Sequence, residues 1–550
     1  MTNSYRTEAL RAARIAYSYW QREAASPSFG CFDRQYWGWK KKDFADATLQ
    51  AGVTLCVRLA EETGQTASLP GLLDGFVGYL ERIQHRDGSF DQVYPFERTP
   101  GVVHDLLTPL IWLWRSFHLN TETRIRLETV IHRGAAYTLK SDETHGEIAN
   151  HFAGYAWELI NYGHTFNDAA ATRFGRSYLD RTLALFNERE GWFREYDGAD
   201  AGYQTRLLSF LTRIAELTGD EELWGVCGKA ACFVEAMMTP DNALHPMLGV
   251  RSTALVYPSA FERLAARQPE FTTLAERIHD GWLTGKTPRP SEIDFENGIR
   301  IAEDAFEAAA IREARRASQQ APAVALAADS SNFDFADAGL HRRVVTPADG
   351  RRQALTIASR LGGVVVLHRQ ATDLSWNLAF ENSGYLLHFG DDTRWLVRRA
   401  DAGRLIELAP DRLRLEATFE QALHEDLTPF KMIVLRILNL TVLRSQWIGD
   451  LFRKVVVRRL ISGHRLLPLR LDRQVVIADG GVTIVDRLIA GPGLSARANG
   501  ARLYRCRRTI ANHMASSRYF QQQEIEGAQL WLEPVSLDVL DGRRIFTKIG

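Results

Sequence analysis

The sequence predicts a multidomain protein, helical first and β second: an incomplete (α/α) toroid at the N-terminus followed by an antiparallel β-sandwich at the C-terminus. Three observations lead there. Apolar residues recur at i, i+3, i+4 and i+7 through the segments 43–64, 70–86, 101–118, 148–162, 168–187, 203–218 and 221–238, the period of helices that bury one face. From about residue 338 the texture changes to short β-rich runs, among them Ala354-Leu-Thr-Ile-Ala, Gly363-Val-Val-Val-Leu-His, Tyr385-Leu-Leu-His-Phe, Lys454-Val-Val-Val and Val475-Val-Ile-Ala, with turn pairs at Asp349-Gly350 and Asp479-Gly480. The third observation is an internal repeat.

That repeat is G-x-F-D-x-x-Y, found as Gly30-Cys-Phe-Asp-Arg-Gln-Tyr36 and Gly88-Ser-Phe-Asp-Gln-Val-Tyr94, with a looser copy at Gly191-Trp-Phe-Arg-Glu-Tyr196. The copies are 58 and then 103 residues apart, and about 50 residues is the length of two helices and their turns, so the chain reads as stacked helical hairpins. Glycine makes the turn in each copy, and Phe32, Phe90 and Phe193 are expected to wedge between neighbouring hairpins. Equivalent loops of such an array open onto one end, where Tyr36, Tyr94 and Tyr203 would border a common cleft. Between Ala308 and Asp337 an Ala/Arg helix passes into an Ala/Ser/Pro segment. This sets a helical domain at 1–318, a linker at 319–337 and a β domain at 338–550.

Composition narrows the function. Of 550 residues, 45% are hydrophobic and 24% charged, which fits a packed globular chain and excludes disordered or fibrous classes. Lys+Arg and Asp+Glu both number 67, so nothing in the overall charge draws the chain to nucleic acid. Arginine outnumbers lysine 58 to 9, and guanidinium suits bidentate recognition of carboxylates and sulfates. Five cysteines lack metal or disulfide spacing, so neither a cofactor nor a metal is expected and a reducing compartment is. The N-terminal segment reads as an amphipathic helix rather than a signal peptide, no apolar run is long enough to span a membrane, and a cytoplasmic location is the expectation.

Two stretches carry the chemistry. In His145-Gly-Glu-Ile-Ala-Asn-His-Phe-Ala-Gly-Tyr-Ala-Trp157, Asn150 and His151 open a helix and project into whatever the helix start faces. In Glu195-Tyr-Asp-Gly-Ala-Asp-Ala-Gly-Tyr-Gln-Thr205, a polar, Gly-rich loop places Tyr196 and Asp200 ahead of Tyr203 at a helix start. A third stretch sets Arg251 and Tyr257 outside any clean period, where Arg251 has the chemistry to neutralise an acid group. Nine of thirteen tryptophans precede residue 285, and loop members such as Trp192 suit a groove in which sugar C–H faces stack on rings.

This order of parts, with an Asn-His pair followed about 50 residues later by a Gly-rich loop ending in Gly202-Tyr203, resembles the heparinase II/III-like polysaccharide lyases and the related alginate lyases. The resemblance implies that Asn150 and His151 neutralise a uronic acid carboxylate or take the C5 proton, and that Tyr203 is the acid toward the leaving oxygen. Arg251, Tyr196, Asp200, Tyr94, Trp192, Tyr36 and Tyr257 would bind substrate, an oligosaccharide or polysaccharide. In that family the β domain supplies a histidine in an H-x-D or H-x-H context; here His368 has no such neighbour.

β-Elimination needs preorganised donors around the carboxylate and a base and acid about the C4–C5 bond. A C5-epimerase would share the proton abstraction. Two other classes stay open: a hydrolase using paired carboxylates from Asp87, Asp91, Asp197 and Asp200, and a non-catalytic glycan-binding or assembly protein.

Overall fold

In the computed structural model, the described residues are 4–92, 99–143, 146–318, 331–397, 403–421, 428–460, 465–478, 481–492, 494, 501–507, 532–535 and 544–549. Tyr94, most of the linker and the Asp479-Gly480 turn lie outside them.

The helical part runs α1 (Ser4–Tyr19), α2 (Arg34–Trp37), α3 (Gly52–Thr63), α4 (Leu69–Ile83), α5 (Pro100–Trp114), α6 (Thr121–Thr138), α7 (Ala149–Phe166), α8 (Ala169–Leu183), α9 (Ala201–Thr218), α10 (Glu221–Met237), α11 (Ser259–Arg267), α12 (Thr272–Leu283) and α13 (Phe295–Ser318). A two-residue hairpin, β1 (Phe186–Asn187) with β2 (Trp192–Phe193), interrupts it before α9. Helices α3, α5, α7, α9, α11 and α13 neighbour one another in that order, and α13 packs on α1 and α3, where the array began. The other long helices lie outside this ring, and every inner helix is entered from an outer one. All six inner N-termini therefore share one rim.

The repeat works through its glycines. Gly30, Gly88 and Gly191 have φ of +96°, +94° and +79°, a conformation glycine adopts without strain. Each sits against the backbone of an outer helix of a neighbouring hairpin: Gly30 against Gly75 in α4, Gly88 against Arg133 in α6, Gly191 against Lys229 in α10. Phe32, Phe90 and Phe193 are buried beside them. A glutamine serves two of these turns in the same way, with Gln84 Nε2 donating to Gly88 O at 3.1 Å and Gln204 Nε2 to Gly191 O at 3.0 Å.

The C-terminal part holds two antiparallel sheets. The first is a meander of β3 (Phe333–Phe335), β4 (Leu340–Val345), β5 (Gln353–Ala358), β6 (Val364–Gln370) and β7 (Trp376–Asn382). The second pairs β8 (Tyr385–His388), β9 (Arg394–Leu396), β10 (Gly403–Leu408), β11 (Arg412–Gln421), β12 (Leu466–Ala478), β13 (Gly481–Ala490), β14 (Arg502–Cys506), β15 (Leu532–Val535) and β16 (Arg544–Ile549). Alternate residues of the central strands face inward. Leu355, Ile357, Val365 and Leu367 of the first sheet meet Leu415, Phe419, Leu471 and Ile484 of the second. The opposite face of the first sheet, including Ala358, Val364 and Val366, joins the core of the helical domain. Strands β5 and β6 are thus covered on both faces, which explains their unbroken apolar runs.

Polar contacts lock the two domains together. Glu190 accepts the backbone N–H groups of Asp337 at 2.8 Å and Ala338 at 2.9 Å and the indole N–H of Trp192 at 2.9 Å. His245 Nε2 lies 2.9 Å from Glu381, and His368 Nε2 lies 3.5 Å from Asp241. Burial lowers the His368 imidazole to about 4.

One expectation fails here. Lys454-Val-Val-Val reads as a strand, but it lies in the second of two helices, α14 (Pro429–Leu440) and α15 (Gln446–Leu460), that interrupt the sheets. β-Branched residues disfavour helix by only a few tenths of a kcal/mol each, so the i, i+4 pattern of Trp447, Leu451 and Val455 prevails.

The glycine argument has a direct check. Gly219, at φ +68° with open space around it, should cost roughly 1–2 kcal/mol when changed to Ala. A Cβ on Gly191 would stand 2.6 Å from Lys229 O, so Gly191→Ala should lose at least about twice as much in urea unfolding followed by helical circular dichroism. Equal losses would deny the close approach.

Candidate functional site

Asn150 and His151 occupy the first turn of α7, on the rim. The buried Glu195 receives both the backbone N–H of Asn150 at 2.8 Å and its side-chain amide at 2.7 Å, while its own backbone bridges to Ile148. Burial drives this carboxyl up to about 8, against the pull of the Asn150 bonds. Asn150 Oδ1 is buried with no hydrogen-bond partner among the described residues. It is an acceptor awaiting a donor.

His151 is half-buried, with Nδ1 2.9 Å from Glu143 Oε2, and the Tyr155 hydroxyl donates to the same oxygen at 2.5 Å. Glu143 is enclosed, so the carboxylate fixes the imidazole from behind. Burial, and then the neighbouring Glu143, hold the Tyr155 hydroxyl far above its usual range.

Asp200 caps α9. One oxygen accepts the N–H of Tyr203 at 3.0 Å and the other the N–H of Arg251 at 2.8 Å. Burial raises this carboxyl to about 6, with the backbone bonds opposing. Gly202 lets the 253–255 strand of chain run against the helix start, since a Cβ there would stand 2.8 Å from Thr253 O. This junction brings Arg251 over Tyr196, 4.1 Å from the ring centroid, and within 6.0 Å of the Tyr203 ring. Arg251 is only 3% exposed, yet its Nε has no partner and no carboxylate pairs with its guanidinium among the described residues. Asp200 and Glu195 lie near enough to favour the cation against burial, but neither pairs with it directly, so an anionic ligand group could still take its hydrogen-bonding edge.

Asn150, Tyr196, Asp200, Tyr203 and Arg251 therefore gather at the α7–α9 rim, with His151 held beside them through Glu143. Other expected residues lie elsewhere. Trp192 is in the core with its indole on Glu190, and Tyr36 is half-buried against the cluster of Cys31, Ala45 and Tyr79. Tyr257 is not apart from the group: it is buried beside the start of α9, where its backbone N–H donates to Thr205 at 3.0 Å. Asp200 belongs to the group as a backbone clamp, both of its oxygens being committed. Two more of the carboxylates considered for hydrolysis are engaged locally, Asp87 accepting from Ser89 at 2.6 Å and Asp91 lying 2.9 Å from His85, while Asp197 is exposed. Glu143 and Glu195 escape sequence reasoning. Glu143 stands eight positions before His151, a spacing with no motif, and Glu195 acts on a residue 45 positions away.

Beneath the rim lies a cavity of about 380 Å³ between the inner helices, with Trp112, Trp157 and Phe210 in its wall. Asp105 closes it toward the rim by binding Arg206 at 2.9 Å and Arg300 at 2.5 Å, and Tyr257 lines both this cavity and a small depression beside Tyr203. Burial opposes ionisation of Asp105, but the two guanidiniums outweigh it and hold the carboxyl below its ordinary range.

No family model matches the sequence, and no curated protein matches it. The chain is similar to several solved structures. A heparinase III aligns at 11% identity over 89% of this chain and 71% of its own, with a TM-score of 0.49. A heparan sulfate lyase mutant from Pedobacter heparinus aligns at 11% identity over 88% and 69%, with a TM-score of 0.43. A GH127 β-L-arabinofuranosidase from Geobacillus stearothermophilus T6 aligns at 11% identity over 77% and 89%, with a TM-score of 0.29.

The Glu195 environment predicts a pH effect. Its carboxyl is raised from 4.5 to about 8, so the folded state keeps a proton that the unfolded chain releases, and this contribution to stability is full below pH 4.5 and lost as pH rises toward 8. Glu195→Gln should flatten the decline of unfolding free energy across that window by up to about 1.4 kcal/mol per pH unit. The part due to Glu158, also raised to about 8 by burial, should remain. Unchanged slopes in denaturant titrations at pH 5 to 9 would place Glu195 in contact with water.

Proposed function

We propose that this chain is a carbohydrate-active enzyme that cleaves a uronic-acid-containing oligo- or polysaccharide by β-elimination at the α7–α9 rim. The observation that carries the reading is Arg251, a buried guanidinium stacked on Tyr196 and paired directly with no carboxylate among the described residues. A uronate carboxylate is the counter-ion of matching size and planarity. Held there, it draws electrons from C5 and makes the C5 proton removable. The unpartnered Oδ1 of Asn150 accepts from a sugar hydroxyl or from the protonated carboxyl.

Proton transfer falls to His151 and Tyr203. With Nδ1–H directed at Glu143, the basic nitrogen of His151 is Nε2, the atom suited to take the C5 proton. The Tyr203 hydroxyl then protonates the leaving oxygen as the C4–O bond breaks, and the electrons of the C5–H bond become the C4–C5 double bond. Tyr203 stands one side chain from Arg251, so acid and carboxylate clamp act on one sugar residue. Stacking on Tyr196 orients the guanidinium plane.

Incubation of the purified protein with a panel of uronate-containing oligosaccharides tests this, following ultraviolet absorbance of the conjugated product and reducing ends together. Both should rise in step. Tyr203→Phe keeps the ring and removes the proton, and turnover should fall roughly 10²–10⁴-fold with thermal stability retained. Arg251→Gln should chiefly raise KM for uronates. Reducing ends without absorbance, insensitive to Tyr203→Phe, would instead mark a hydrolase.

A further inference from the structure

Helices α14 and α15, joined through the short turn Val442–Arg444, each turn an apolar stripe to solvent. Along α14, Phe430, Ile433, Val434, Ile437 and Leu440 follow helical spacing on one stripe, and all are exposed; Phe430 is 74% accessible. Along α15, Trp447, Leu451 and Val455 form a second exposed stripe, with Trp447 also at 74%. Amphipathic helices of a globular domain turn such stripes inward. Here the side of α14 toward the protein holds one buried residue, Asn439.

Charge says what covers the stripes. Residues 428–460 contain seven basic side chains and one acidic, within a chain whose 67 basic and 67 acidic residues cancel, so the remainder of the protein is acidic by six. The α14–α15 segment also touches the helical domain at a second basic, aromatic segment. Arg436 pairs with Asp43 and lies 5.8 Å from the Phe44 ring, directly after Lys40, Lys41 and Lys42 and the 65% exposed Trp39. Five of the chain's nine lysines belong to these two segments. At 12 and 15 residues, neither helix is long enough to cross a bilayer, and among the described residues no helix is.

We infer that the α14–α15 segment is a docking surface for an anionic membrane, lying in the interface with Phe430, Ile433, Ile437, Trp447 and Leu451 in the acyl boundary and Lys431, Arg444 and Lys454 among the headgroups. Exposed apolar stripes beside clustered Lys and Arg, with aromatics at the boundary, are the physical requirements for a helix that lies on lipid rather than through it. The inference is independent of the reaction proposed above.

Co-sedimentation of the full chain with vesicles tests it. Phosphatidylcholine vesicles containing about one-third phosphatidylglycerol should bind at least tenfold more tightly than pure phosphatidylcholine, with binding weakened by salt. Ile433→Ser with Ile437→Ser and Trp447→Ser alters only exposed positions and should abolish binding without shifting the thermal midpoint. Lys431→Glu with Lys454→Glu leaves the stripes intact and should weaken binding to the anionic vesicles roughly 25-fold or more, at about fivefold per basic residue lost. Failure to bind either vesicle overturns the inference. So does equal binding to both, or a dimer in light scattering that the serine variant dissociates in place of any lipid effect.

Discussion

One carboxylate holds the middle of the ring. Asp105 on α5 receives Arg206 from α9 and Arg300 from α13, so three inner helices that are distant in sequence meet on a single buried charge. Removing one partner of such a group strands the others, at a cost of about 3–5 kcal/mol. The cluster also divides the interior. Above it a small depression opens beside Tyr203, lined also by Arg206, Thr253 and Tyr257; below it the cavity is walled by Trp112, Trp157 and Phe210. The floor between them carries fixed charge, since Asp105 holds Arg206 and Arg300 in place, whereas Arg251 pairs with no carboxylate among the described residues.

Much of this was legible because it is periodic or local. Helical spacing marks α5, α7 and α9 of the ring within a few residues, and the G-x-F-D repeat marks places where backbone meets backbone, a contact only glycine permits. Asn150, Tyr203 and Arg251 could be singled out because polar residues on Gly-rich loops have no core to fill. The support behind them could not. Glu143 and Glu195 look like ordinary surface acids until the fold buries them, and a carboxyl acquires its meaning from partners that arrive from other helices. Trp192 misled for the converse reason: an indole in a loop suggests a sugar platform, but a buried carboxylate two residues away draws its N–H inward. In α14 and α15 the Val- and Ile-rich composition hid the helical period, and no core contact was there to reveal it.

The domain interface is built from the same kind of parts as the site. Glu190, Glu381, His245 and His368 are enclosed titratable groups whose partners lie across the boundary. Apolar burial from Val364 and Val366 supplies adhesion without direction. Hydrogen bonds supply the register.

Glu190 sets that register in a telling place. It belongs to the loop that turns at Gly191 and goes on through Trp192 to Tyr196, Asp200 and Tyr203, and the same carboxylate grips the first residues of the sheet domain. The sheets and the tyrosines are therefore mounted on one bracket. Rocking the sheets against the ring means breaking bonds on Glu190 or carrying the 191–203 loop along, so any hinge motion between the domains is geared to the spacing of Tyr196 and Tyr203 from Asn150 on the neighbouring helix.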